Sequence, residues 1–123
     1  MNKRKMKVVS RYSHSLPKLV CTGGDEGLLI STRYLNQILS VDASAMLMTV
    51  DSGVLLWEGI DAAAQSGLAL PHTPSYWGRS IGGLLAAAAH GSGMWDKGCS
   101  IHECVVSLRM VTPVRQDPNS WQR

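Results

Sequence analysis

The chain has 123 residues, and 12 Lys plus Arg stand against 9 Asp plus Glu for a formal net charge of +3. That excess lacks the density of a dedicated nucleic-acid binder, and an apolar share of 45% excludes a wholly disordered chain. The length suits one domain or a piece of a larger one. The richest apolar stretch, Ile81 to Ala89, falls well short of the roughly 20 residues that span a bilayer, so no transmembrane segment is expected. Phe is absent, so the core is expected to rest on Leu, Ile, Val, Met and Ala. The cysteines Cys21, Cys99 and Cys104 are odd in number and cannot all close into internal disulfides. The basic start, Lys3-Arg4-Lys5, is followed by Val8-Val9 and then polar residues rather than a long apolar run, so no secretory signal is expected. It reads as a solvated end before a strand.

Met6 to Ser10 is rich in Val and predicts a short strand. Arg11 to Leu16 is polar and ends at Pro17, which reads as a loop. Cys21 to Gly27 is a turn cluster, and Leu28 to Ser31 reads as a buried strand. Tyr34 to Leu39 is a turn leading into an extended piece near Ile38 to Val41. Ala45 to Val50 alternates, with Met46, Met48 and Val50 on one face. Val54 to Gln65 predicts a helix with Leu56, Ile60, Ala63 and Ala64 on one side, capped by Asp51 or Ser52 and closed by Gly67 in a left-handed conformation. Gly59 inside it costs roughly 1 kcal/mol against Ala, so this helix needs tertiary support. Pro71 to Gly78 is loop, Val105 to Val111 reads as a strand, and the tail from Thr112 has no apolar period. Short strands, one or two helices and glycine loops give an α+β domain.

Three segments can carry chemistry. Ser10-Arg11-Tyr12-Ser13-His14-Ser15 follows a strand and offers backbone N–H groups, hydroxyls and a guanidinium to an anion, with His14 as base, ligand or nucleophile. An ordinary exposed loop fits the same residues. Ser80 to Gly93 combines Gly82-Gly83 with Ala86 to Ala89, small enough for a ligand to approach the backbone, while propensity alone slightly favours a helix begun after Gly82-Gly83 and stopped at His90-Gly91. Gly93 to Gly98 has a P-loop gap but lacks the Lys that must follow. Cys99, His102 and Cys104 match no strong zinc spacing, so no metal is expected.

Taken in order, these pieces resemble the vanillyl-alcohol-oxidase-type (PCMH-type) flavoproteins. Lys7 to Ser15 resembles the first flavin loop of that family. Gly27 to Thr32, Leu35 to Leu39, Val41-Asp42, Met48 to Val54, Gly67 to Pro71, Ile81 to Gly83, His90 to Ser92 and Val105 to Val111 follow in register. Within the family, the run from Arg11 to Cys21 is similar to the plant L-gulonolactone oxidases.

The resemblance implies a PCMH-type FAD-binding domain over residues 5–112, with two small α/β subdomains that clasp FAD and with both ends of the family domain missing. Residues 113–123 form a tail outside the family pattern. It implies that Ser10, Arg11, Tyr12, Ser13, His14 and Ser15 wrap the pyrophosphate, and that His14 occupies the place of a histidine bonded covalently to the isoalloxazine. Ser80, Gly82, Gly83, Ala88, His90, Gly91 and Ser92 would line the other side. The substrate class implied is a small-molecule aldonolactone, with hydride transfer to flavin N5 and reoxidation by oxygen or another acceptor. No catalytic acid or base is assigned within this chain. Family members carry Gly-Thr-Gly-Ala where this chain has Ala86 to Ala89, so Ala86 or Ala88 is expected to be strained if its position needs a positive φ. Leu55 stands where relatives have a capping Thr, and Arg79 where they have an uncharged residue. The alternatives are an inactive remnant of such an enzyme and a small non-enzymatic binding domain.

Overall fold

A computed structural model describes residues 4–10, 16–92 and 100–111. Its elements are β1 (Met6–Val9), α1 (Pro17–Val20), β2 (Leu28–Ser31), β3 (Ile38–Asp42), β4 (Leu47–Val50), α2 (Leu56–Gln65) and α3 (Ile81–Ala86), followed by a 3-10 turn at Ile101–Cys104. The mixture is the α+β class that the sequence implies. β1 pairs with β2 in parallel, Met6 opposite Leu28 and Val9 opposite Ser31. β3 pairs with β4 as an antiparallel hairpin, Val41 opposite Met48.

The hairpin turn shows its local logic. Asp42 Oδ1 accepts from Ser44 N–H (3.0 Å), Ser44 O–H (2.7 Å) and Ala45 N–H (3.0 Å). These bonds hold the Asp42 carboxyl below its usual range, the Ser44 hydroxyl contributing most. The chain turns through Met46, which has a φ of 55°, so the strand starts at Leu47 rather than at the expected Ala45.

The core lies under the helices. Leu56, Leu84 and Ile101 form its centre, and Ile60, Leu70, Ile81, Leu85 and Ala89 pack around them. Aliphatic side chains thus do the work that Phe does elsewhere. Gly59 is buried, and a Cβ there would stand 3.5 Å from Met48 Cε. Met48 is the tertiary support this glycine requires, and it comes from the strand face on which the alternation placed it.

α2 begins later than the sequence suggests. Its cap is Leu55, not Asp51 or Ser52, because Leu55 pairs with Ser80 in an antiparallel bridge and stays extended. Leucine has no acceptor to offer, so Glu58 reaches back and takes the Leu55 N–H at 2.8 Å. At the other end Gly67 has a φ of 73°, as expected. Its N–H bonds Ala64 O and the Leu68 N–H bonds Ala63 O, closing a Schellman motif.

Three expectations are corrected. β2 is a strand but not a buried one: Leu28, Leu29 and Ile30 are 48%, 51% and 44% exposed, because only one strand pairs with it. Val105 to Val111 forms no strand, since none of the described residues pairs with it, and Val106, Leu108, Met110 and Val111 are exposed. The helix within residues 80–93 starts earlier than its glycines suggest. Ile81–Ala86 is a helix that contains Gly82-Gly83 instead of starting after them. The expected loop of Arg11 to Ser15, residue Cys99 and the tail from Thr112 lie outside the described residues.

Candidate functional site

Parallel strands present their carboxyl ends to ligands, with loops leaving on one side. β1 and β2 end together at Val9 and Ser31, and Ser10, half-buried, opens the polar loop from that end. Thr32 follows β2 at the same end and is buried. Its N–H donates to Val9 O at 3.1 Å, and its hydroxyl donates to the same carbonyl at 3.3 Å. Thr32 O accepts from Leu35 N–H at 3.0 Å, and Leu35 O accepts from Gly53 N–H at 2.6 Å. Ser52, the neighbour of Gly53, offers its carbonyl to Gly82 N–H at 2.8 Å. A continuous run of backbone bonds therefore joins the loop's starting point to the head of α3. Val9 and Gly82 are far apart in sequence, and this run of bonds ties them together.

α3 is built for that proximity. Ser80 is buried and caps it, its hydroxyl accepting from Gly83 N–H at 3.3 Å. Ile81 N–H donates to Val54 O, Gly82 N–H to Ser52 O and Leu84 N–H to Ser80 O. The first-turn amides are thus all committed to protein acceptors. A Cβ on Gly82 would lie 3.0 Å from Ser52 O, and one on Gly91 would lie 2.8 Å from Thr73 O. The group that comes close to these glycines is the protein's own backbone.

The helix ends in the same motif as α2. Ala88 N–H bonds Leu85 O at 3.2 Å and Ala89 N–H bonds Leu84 O at 2.9 Å. Ala88 occupies the left-handed position with a φ of 48°, so the strain anticipated for an alanine here is real at Ala88. Ala89 folds in toward Leu84 and the core. What faces outward is Gly83, Ala86, Ala87 and Ala88, none with a side chain larger than a methyl. His90 is exposed, with Nδ1 3.0 Å from Gly91 O, and it bridges to Ser100. Ser92 is exposed and Gly91 half-buried.

Sequence reasoning assigned no role to Thr32, Gly53 or His72. Thr32 sits in an ordinary polar run, and Gly53 is a single glycine between a strand and a helix. His72 is half-buried, its Nε2 3.1 Å from Ser100 O, and ties the loop after α2 to the 3-10 turn. A cleft of about 300 Å³ lies at the opposite end of β1 and β2, between Arg4, Lys5 and the Thr22–Gly27 turn. Asp25 and Glu26 line it along with the cations, and it does not touch Ser10 or α3. No group of three metal-ligating side chains occurs among the described residues. Cys104 is exposed on the 3-10 turn, and its thiol is raised above its ordinary value by desolvation and by Glu103.

A family profile described as FAD binding domain matches residues 1–114. The chain belongs to the FAD binding domain family. FAD is therefore the cofactor of this domain. The chain is 53% identical over 110 residues to L-gulonolactone oxidase 5 of Arabidopsis thaliana, covering 89% of this chain and 19% of that protein. L-gulonolactone oxidase 2 of the same plant is 54% identical over 110 residues, with the same coverage. L-galactono-1,4-lactone dehydrogenase 1, mitochondrial, of Oryza sativa subsp. japonica is 31% identical over 87 residues, covering 71% of this chain and 15% of that protein. The chain thus spans about a fifth of the length of the first two relatives, 19% in each.

The FAD-binding domain's own geometry is compatible with a flat, phosphate-bearing cofactor. The outward surface of α3 and its cap is level, because its exposed positions carry only hydrogen or methyl. Among the described residues no helix is long and apolar enough to cross a membrane.

Proposed function

We propose that this chain forms part of the FAD site of an aldonolactone oxidoreductase that acts on L-gulono-1,4-lactone or a close analogue. The observation that supports the reading is the run of bonds from Val9 through Thr32, Leu35 and Gly53 to Gly82, which ties the end of β1, where the polar loop begins, to the head of α3. The names of the relatives support the lactone as substrate. FAD, when bound, supplies an electron-accepting N5 for hydride from the lactone and passes the electrons to oxygen or another acceptor.

The chain's own residues bind and orient. Ser10, Ser13 and Ser15 offer hydroxyls and their loop offers N–H groups to the pyrophosphate, while Arg11 adds positive charge. Tyr12, within the same loop, completes the wrap around the pyrophosphate. His14 is the residue we assign to a covalent link through an imidazole nitrogen to the 8α carbon of the isoalloxazine. Gly83 and Ala88 lie against the cofactor's flat face, and His90 and Ser92 border it. Ser80, Gly82 and Gly91 act from behind, as packed positions that shape this surface. We assign residues 5–112 to the FAD-binding domain and leave residues 113–123 outside the family pattern.

The test is expression with FAD followed by acid denaturation. Yellow, fluorescent denatured protein is expected, with the colour lost in His14→Ala. Colourless protein that takes up no added FAD would overturn the reading in favour of a non-enzymatic remnant.

A further inference from the structure

We propose that Thr32 and Gly53 are positioning residues for the cofactor, a joint that fixes how far the end of β1 stands from the head of α3. The inference rests on the flavin reading above and goes beyond its contact residues, since neither residue is among them. Thr32 spends both its N–H and its hydroxyl on one acceptor, Val9 O, the last carbonyl of β1 before Ser10. A second donor on one carbonyl limits its freedom to swing, and Thr32 is buried where no water replaces either bond.

Gly53 closes the other side. It is buried, its N–H bonds Leu35 O, and its Cα faces two carbonyls. A Cβ there would lie 2.1 Å from Thr32 O and 2.4 Å from Leu35 O. Both contacts are with backbone, so no rotamer change relieves them. The φ of Gly53 is not in the left-handed region, so the need for glycine is one of space. Any side chain must push the Thr32–Leu35 turn away from Ser52, and Ser52 O holds Gly82 N–H. The displacement passes along this line to Val9 at one end and to the head of α3 at the other.

The joint is tested by two readouts on the full chain. The first needs no cofactor. Nitroxides are placed at Val8→Cys on β1 and Ala86→Cys on α3, both exposed, with Cys21, Cys99 and Cys104 changed to Ser, and their separation is measured by double electron–electron resonance. The second is FAD titration by quenching of flavin fluorescence, with far-UV circular dichroism as the check on folding. Gly53→Ala is expected to broaden the separation and to weaken FAD at least about tenfold while the helix signal stays. Thr32→Val keeps shape and N–H but loses the hydroxyl, and is expected to weaken FAD about two- to tenfold, the ratio for one hydrogen bond. Thr32→Ser restores the donor and is expected to restore the affinity.

A Gly53→Ala chain with an unchanged separation and affinity would overturn the joint. A broadened separation with unchanged affinity would overturn its link to the cofactor. If Gly53→Ala broadens the separation in a chain that binds no FAD even as wild type, the joint stands as structure and the flavin reading fails.

Discussion

Ala88 offers a stability gain that can be worked out from the backbone. It holds the left-handed position of a Schellman motif with a φ of 48°, its N–H and that of Ala89 bonded back to Leu85 and Leu84. An alanine in that region costs about 1–2 kcal/mol, from Cβ against the following carbonyl. Glycine removes that cost but adds about 0.4–1 kcal/mol of unfolded-chain entropy. Ala88→Gly is therefore expected to stabilise the chain by about 0.5–1 kcal/mol. Gly67 supplies the control. It has the same position in the same motif after α2, a φ of 73°, and nothing within 4 Å of a would-be Cβ. Gly67→Ala should then lose about what Ala88→Gly gains, through backbone strain alone. Urea unfolding followed by circular dichroism measures both, and an unchanged m-value shows that stability has changed and not the compactness of either state. If Ala88→Gly is neutral or destabilising while Gly67→Ala costs its share, the left-handed cap at Ala88 is refuted.

Other predictions follow the same physics. Leu84 is fully buried at the centre of the core, so Leu84→Ala should cost about 2–5 kcal/mol in the same urea experiment. The Asp42 carboxyl is held below its ordinary 3.8 by Ser44 and Ala45. Its contribution is therefore present above that value and disappears as pH falls through the lowered one; Asp42→Asn should flatten the acid limb of the stability–pH curve, and carboxyl NMR titration should place the Asp42 midpoint low. Cys104 is raised by desolvation and Glu103, so iodoacetamide should alkylate it at pH 8 more slowly than a cysteine in a short peptide, and Glu103→Gln should speed the reaction.

Much of the local structure was legible because the signals were local. Val8-Val9, the Met48-Val50 alternation and the Leu56-Ile60-Ala63 spacing name their elements, and Gly67 marks its cap. The failures share a cause, which is pairing across the chain. Leu28 to Ile30 has a buried strand's composition, but composition does not count the strands beside it. Val105 to Val111 alternates as a strand does, yet a strand exists only with a partner. Leu55 is a poor cap by residue type, and only its bridge to Ser80 explains why α2 begins after it. The candidate site divides in the same way. The polar loop and the small-residue stretch are visible as types, and their ordered company points to the family. Gly82 and Gly91 looked like room for a ligand, and the structure fills that room with Ser52 and Thr73. Thr32 and Gly53 have no local signature, because their importance lies in carbonyls contributed by other turns.

The open strand pair has a dynamic corollary. Little apolar cover lies on β1 and β2, while Leu56, Leu84 and Ile101 are enclosed. Local opening near the strands thus costs far less than melting the helices, and amide hydrogens should exchange with deuterium soonest in Lys7 to Val9 and latest in Ile60 to Ala63. A ligand gripping the carboxyl end of the pair would slow the first group and leave the second almost untouched, so exchange mass spectra would map its footprint without any turnover.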